Sequence, residues 1–327
     1  MRFHVDDILS SHVDAKVNDR FARWAQKLYG KIKPVEVKRG RCFRFLGMTL
    51  DFSNKGECHV LQEELIEDIA ETWPEEIKKT KRELTPCTSS LFEKGEGELL
   101  CEKRRKLFHT IVVKCLFLAN RSRPDILPTV SVLTSRVIAP IEADWKKERR
   151  LVQYLYNTKD IHLVLRWDNT RIVRWHVDAA FAVHSDFKSQ SGGMVMLHPE
   201  GGAIVAGSAR QKINTRSSTI AELVAVDDFL AKILWMQKFL HGLGYTLKNN
   251  VLLQDNTSSI LMAKNGRSCL GKRNRTIDVH YFAIKDSIDC GDVEIKHVGT
   301  NFMVADYFTK CLQGEKFQRF RKLILGM

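Results

Sequence analysis

The stretch Arg216–Leu240 reads RSSTIAELVAVDDFLAKILWMQKFL. It opens with the polar run Ser217-Ser218-Thr219 and continues with Leu223, Val226, Leu230 and Ile233. Apolar residues three and four apart share one helix face, so the stretch predicts a helix with a single buried stripe. Glu222 stands one position before that stripe. Two readings of it are open. Thr219-Ile220-Ala221-Glu222 fits a capping box, in which Glu222 accepts a backbone N–H at the helix start. The other reading makes Glu222 part of a site that the rest of the chain completes.

Upstream, 171–177 (RIVRWHV) predicts a strand, and Asp178 follows it. Val251-Leu252-Leu253-Gln254 predicts a buried strand end, followed by Asp255-Asn256. Glu294–Val298 is another short strand, and it leads to Val304-Ala305-Asp306-Tyr307, a helix start. Asp178, Asp255 and Asp306 thus fall at element boundaries, where strands deliver side chains to one edge of a sheet. A carboxylate at an apolar strand end is costly to desolvate unless a cation or donor meets it. Four such acids converging make a site for a hard cation such as Mg²⁺.

The order Asp178, Glu222, Asp255, Asp306 resembles the ribonuclease H domain of copia-type retrotransposon polyproteins. The surrounding words match in the same order: HVDAAFAVHSDFKSQSGG, GSARQKINTRSSTIAELVA, LLQDNTSSILMAKN, RTIDVHYFAIKD and IKHVGTNFMVADYFTK. The resemblance implies an α/β, ribonuclease H-like mixed five-stranded sheet with flanking helices. It implies a metal site at Asp178, Glu222, Asp255 and Asp306, filled by Mg²⁺ or alternatively Mn²⁺. His297, nine residues before Asp306, matches the family's mobile histidine, which assists proton transfer or product release; its other reading is a strand-end histidine without a chemical role. The activity implied is two-metal hydrolysis of RNA within an RNA–DNA hybrid. Ser208, Gln211, Asn214 and Asn256 are expected substrate contacts, from their neighbourhood to the acids. One family position differs: a second acid two residues after the first is replaced here by Ala180.

The flanking sequence extends the resemblance. Phe3-His4-Val5-Asp6-Asp7 is similar to the YVDD box of copia-type reverse transcriptases, with His4 in place of tyrosine. Asp6 and Asp7 are read as a remnant polymerase metal site. The acid from an earlier strand that such a site also needs precedes this stretch, so polymerase activity is not expected from this chain alone. An N-terminal reverse-transcriptase part in cis or in trans is the implied partner. Phe45-Leu46-Gly47-Met48 resembles the family's FLG box, and Ser122-Arg123-Pro124-Asp125-Ile126 its TRPDI box, with Val113 where glycine is usual. The expected division is a palm and thumb remnant over 1–85, a helical connection over 86–170, a ribonuclease H-like domain over 171–311 and a basic tail over 312–327. The 141 residues of the third unit suit a domain that folds alone. Residues 74–100, with Thr85-Pro86 and a Gly- and Glu-rich run, are the best linker candidate.

Length and charge agree with this organisation. A chain of 327 residues suits two or three domains. A net charge of +13 favours a polyanionic partner, although it also serves solubility. The 8 cysteines form no CxxC pair, which argues against a zinc site. The apolar run 111–119 is interrupted by Lys114 and too short to span a bilayer. No signal peptide is visible, so an intracellular protein, in a cytoplasmic particle or the nucleus, is expected. Three basic stretches, 78–82, 146–150 and 271–275, face either phosphate or water. Two rival functions remain: a non-catalytic nucleic-acid-binding remnant, and a fragment of a full reverse transcriptase.

Overall fold

The structure, a computed structural model, describes residues 1–5, 7–12, 14–31, 33–75, 77, 82–266 and 283–327. It begins with a hairpin, β1 (Arg2–His4) and β2 (Asp7–Leu9), and a helix, α1 (Ala15–Tyr29), capped by Asp14. β3 (Cys42–Phe45), β4 (Met48–Asp51), β5 (Glu57–Leu61) and α2 (Glu63–Thr72) follow. Alternation over 42–52 predicts one strand; the chain instead folds back at Leu46-Gly47. A two-residue hairpin loop of this kind needs positive φ at both central positions. Leu46 and Gly47 have φ of 51° and 72°. Leucine carries no turn signal, so the break is not legible in the sequence.

Three helices come next, α3 (Glu102–Ala119), α4 (Leu127–Thr134) and α5 (Glu142–Asn157). The split expected at Arg123-Pro124 is a 3₁₀ turn, Pro124–Ile126. β6 (Leu163–Arg166) then joins β5, completing a four-stranded sheet in the order β3-β4-β5-β6. The rest of the chain is β7 (Ile172–Ala180), β8 (Gln190–Met196), β9 (Val205–Arg210), α6 (Ser218–Gly242), β10 (Asn249–Gln254), α7 (Thr257–Asn265), α8 (Ala283–Asp289), β11 (Glu294–His297), α9 (Asp306–Thr309) and α10 (Gly314–Leu325). Its sheet runs β11-β10-β7-β8-β9, with β10 parallel to both β11 and β7, and β8 antiparallel to both β7 and β9. This is a mixed five-stranded sheet, as expected.

Strand alternation gives this sheet two apolar faces. Val173, Trp175, Val177 and Val195 pack with α6, while Met194 and Met196 pack on the opposite side with α3–α5, α9 and α10. The second cluster runs continuously across residue 170. Leaving Met194, Met196, Tyr307 and Phe308 uncovered removes about 1.5–3 kcal/mol each, comparable to a domain's whole stability of about 5–15 kcal/mol. A fragment of residues 171–311 is therefore expected to melt broadly and non-cooperatively, and a sharp melt near that of the full chain would refute the shared core.

Several sequence expectations change here. Within the linker candidate 74–100, Leu91, Phe92 and Leu100 are buried, so this part of it packs on the core. The tail is α10, with Phe317, Phe320, Ile324 and Leu325 buried. Val113 is half-exposed on α3 and opposes no packing. Three of the four bases in 146–150 serve the fold: Lys147 donates to Leu91 O and Glu93 O, Arg149 pairs with Glu75, and Arg150 with Glu83. Residues 271–275 and most of 78–82 lie outside the described residues.

A buried polar network crosses this core. The Arg123 guanidinium grips Asp125 through two hydrogen bonds, of 2.9 and 2.8 Å, and donates to Thr158 O and Oγ1. Tyr154 OH donates to Asp125 Oδ2 at 2.7 Å, and Tyr307 OH to Asp125 O at 3.0 Å. Nearby, Glu148 is fully buried and neither carboxyl oxygen has a hydrogen-bond partner. Burial pushes its pKa up to about 9. The native state thus favours the protonated acid, so this group's stability contribution is full below about pH 4.5 and is lost as pH rises through 9. The unfolding free energy from denaturant titrations between pH 5 and 9 should fall in the native chain, by a few kcal/mol from this group. Glu148→Gln should remove that part of the slope, and an unchanged slope would exclude Glu148 as a source.

Candidate functional site

The site lies where β10 ends beside β7. In their parallel register Leu253 pairs with His176. Extending that register by two residues sets Asp255 level with Asp178. Asp178 has the parity opposite to Val177 and Ala179, so it faces α9 rather than α6. Its partner across β8 is Gly192. A Cβ at Gly192 would come within 2.6 Å of Thr309 Cγ2 and 2.7 Å of Phe308 Cβ. Only glycine lets α9 lie this close, and the Thr309 hydroxyl then donates to Asp178 Oδ2.

Glu222 arrives from the other side, on α6. Ser217 is the N-cap, accepting from Ile220 N–H at 3.3 Å. Glu222 therefore stands in the second turn and takes no part in a capping box. It is 6% exposed, and Gln254 Nε2 donates to its Oε2 at 3.1 Å. The other end of the Gln254 amide accepts from the N–H groups of Asp255 and Asn256, at 2.8 and 3.2 Å. One buried glutamine thus ties the strand end to the helix.

Asp178, Glu222 and Asp255 each offer a carboxylate oxygen, all within 4.8 Å of one another. Burial raises the pKa of Asp178, against the opposing pull of Lys310. Burial raises Glu222 further, followed by the negative charges of Asp178 and Asp255. Such a cluster is unfavourable when fully ionised and is relieved by a cation. Carboxylate oxygens are hard ligands, so the donor set fits Mg²⁺ or Mn²⁺.

The structure places the other expected residues as follows. Asp306 is buried beside the cluster and paired with Lys310 and Lys316. His297 is exposed at the end of β11, in register with Gln254, at the same end of the sheet as the acids. Ser208 is half-buried, donating to Phe308 O at 2.6 Å and accepting from Gln190. Gln211 is buried and donates to Ser191 Oγ and Ala221 O. Asn214 is exposed, and Asn256 caps α7 by accepting from Ser259 N–H. Asp6 lies outside the described residues. Asp7 starts β2 and lines a cleft with Arg44, Leu46, Thr49 and Gln62. Among the described residues no helix is long and apolar enough to cross a membrane.

No family model matches the chain. The Pol polyprotein of transposon TNT 1-94 from Nicotiana tabacum is 27% identical over 274 residues, 80% of this chain. A transposon Ty5-1 protein of Saccharomyces cerevisiae is 29% identical over 235 residues, 70% of this chain and 72% of that protein. The chain is similar to retrotransposon Pol polyproteins. It spans 20% of the tobacco polyprotein's length. Among solved structures, a foamy viral protease-reverse transcriptase in complex with RNA/DNA hybrid is similar at a TM-score of 0.47 and 10% identity, over 89% of this chain and 34% of that one.

Four supporting residues carry no role in the sequence reading: Gln254, Thr309, Lys310 and Lys316. Gln254 had a signal, since it is a polar residue ending an otherwise apolar strand. The other three depend on how α9 and α10 dock, which no local pattern encodes.

Proposed function

We propose that this chain hydrolyses the RNA strand of an RNA–DNA hybrid with a divalent metal, through a ribonuclease H-type site. The observation that carries the reading is the approach of Asp178, Glu222 and Asp255 to within 4.8 Å at one end of a mixed five-stranded sheet. Bound Mg²⁺ supplies Lewis acidity at the scissile phosphate and lowers the pKa of a water. Asp178, Glu222 and Asp255 would hold it. Gln254 orients Glu222, and Thr309 with Lys310 orients Asp178. The exposed imidazole of His297 stands at the same sheet end, available to move a proton. The hairpin at His4–Asp7 and the helices of 86–170 belong, in this reading, to the end of a reverse transcriptase and its connection. Their polymerase partner is an N-terminal part, in cis or in trans.

The test is a labelled RNA–DNA hybrid incubated with the full chain. Cleavage of the RNA strand to 5′-phosphate and 3′-hydroxyl ends is expected with Mg²⁺. None is expected with chelator or on a DNA duplex. An intact hybrid after prolonged incubation with Mg²⁺ or Mn²⁺ overturns the proposal.

The net charge of +13 adds a second expectation. Affinity for the hybrid should fall with salt at about 0.9 per phosphate contact, roughly three to six in all on a log–log plot. A flat response would remove the electrostatic binding face.

A further inference from the structure

Both carboxylate oxygens of Asp306 are occupied by lysines. Lys310 Nζ pairs with Oδ1, and Lys316 Nζ lies 2.6 Å from Oδ2. Asp306 is 1% exposed, so ammonium groups replace water around it. Lys310 Nζ also lies 3.7 Å from Asp178 Oδ2. A single ammonium therefore bridges the buried fourth acid and the three-acid cluster. The two lysines come from different places. Lys310 stands one helical turn after Asp306, and Lys316 is in the first turn of α10, whose apolar face is buried. Packing of α10 thus fixes where Lys316 stands.

The charges then decide how much cation the site can take. Asp178, Glu222, Asp255 and Asp306 are four carboxylates, and Lys310 and Lys316 supply two positive charges. The remaining two negative charges match one divalent ion. A second ion on Asp306 would have to enter against both ammonium groups, and like charges at such separations repel strongly.

We propose that Lys310 and Lys316 take the place of a second cation, so that the site binds one divalent ion on Asp178, Glu222 and Asp255 while lysine holds Asp306. This rests on the metal-site reading above and narrows it. Lys310 and Lys316 are positioning residues in this arrangement, since they act through Asp178 and Asp306.

Mn²⁺ titration of the full chain without nucleic acid tests this, with free Mn²⁺ counted by its paramagnetic resonance signal. The native chain should bind one Mn²⁺. Lys310→Met should bind two, because it frees an oxygen of Asp306 next to Asp178. A lysine that merely supported the fold would lower stability without adding an ion. Lys316→Met, which frees the other oxygen, should also gain an ion and serves where Lys310→Met fails to give a native melting curve. Two ions in the native chain with affinities within tenfold, or one ion still in the folded lysine variants, overturns the proposal alone. No bound ion in the native chain is a different result; it overturns the metal-site reading and the lysine proposal together.

Discussion

Glu222→Gln is expected to lower hybrid cleavage by about 10²–10³-fold or more while leaving the fold intact. Glutamine keeps the size of the side chain and the acceptor for Gln254 Nε2, so packing on α6 is preserved. What disappears is one of the three negative charges that hold the cation. Metal ligation contributes several kcal/mol to stabilising transition-state charge, and each 1.36 kcal/mol is tenfold in rate. The stability gained on adding Mg²⁺ should shrink as well, because a ligand stabilises only the state that binds it. Hybrid affinity without metal should hold or improve, since a negative charge near the phosphates is gone. Asp178→Asn and Asp255→Asn should behave alike. Asp227→Asn, on the same helix but outside the cluster, is the control for general damage. Cleavage by Glu222→Gln at the native rate under saturating Mg²⁺ would leave Glu222 a structural residue and remove the enzyme reading.

Asp125→Ala is the substitution expected to cost most in stability, about 3–5 kcal/mol. Asp125 and Arg123 are 0% and 1% exposed. Burial pushes the Asp125 carboxyl up, but Arg123 and its hydrogen bonds outweigh that and hold it below the usual carboxylate range. Removing the carboxylate leaves a guanidinium buried with only Thr158 as acceptor, and takes the acceptor from Tyr154 OH. An orphaned buried charge costs far more than the intact pair contributes. The double variant Asp125→Leu with Arg123→Met should therefore be more stable than Asp125→Ala alone. Urea titrations of the native chain and the variants measure this. A loss under about 1 kcal/mol for Asp125→Ala, the range of an exposed pair, would contradict the buried network.

The parts of the site visible in sequence are those set by local pattern. Asp255 follows a run of apolar strand residues, and Glu222 stands one position before an apolar helical stripe; both stand out because burial makes them expensive. The sequence pattern sets Asp178 just after its strand, but β7 runs on to Ala180 because β8 continues to pair with it beyond the last β10 pair. Ser217 rather than Thr219 caps α6, a choice between adjacent hydroxyl residues that the capping pattern does not separate. The lysine pairs on Asp306 are not legible, since Lys316 belongs to a stretch that the sequence marks only as a basic amphipathic tail. Its apolar positions have a meaning only once residues 107–155 supply the surface they cover. The same holds for the unexpected hairpin at Leu46-Gly47, which β5 and β6 stabilise from far along the chain.

The docking of α10 has a consequence for synthesis. Its buried face covers helices made from a much earlier part of the chain, and β6 sits against its end through Leu163 and Leu325. On the ribosome, α3–α5 emerge long before the residues that cover them. Domains tend to fold as they appear, but one whose core is closed by late residues must wait. The nascent chain therefore keeps an open apolar surface until about residue 325 has left the exit tunnel, and the acidic site, which leans on α9, is completed in the same late step.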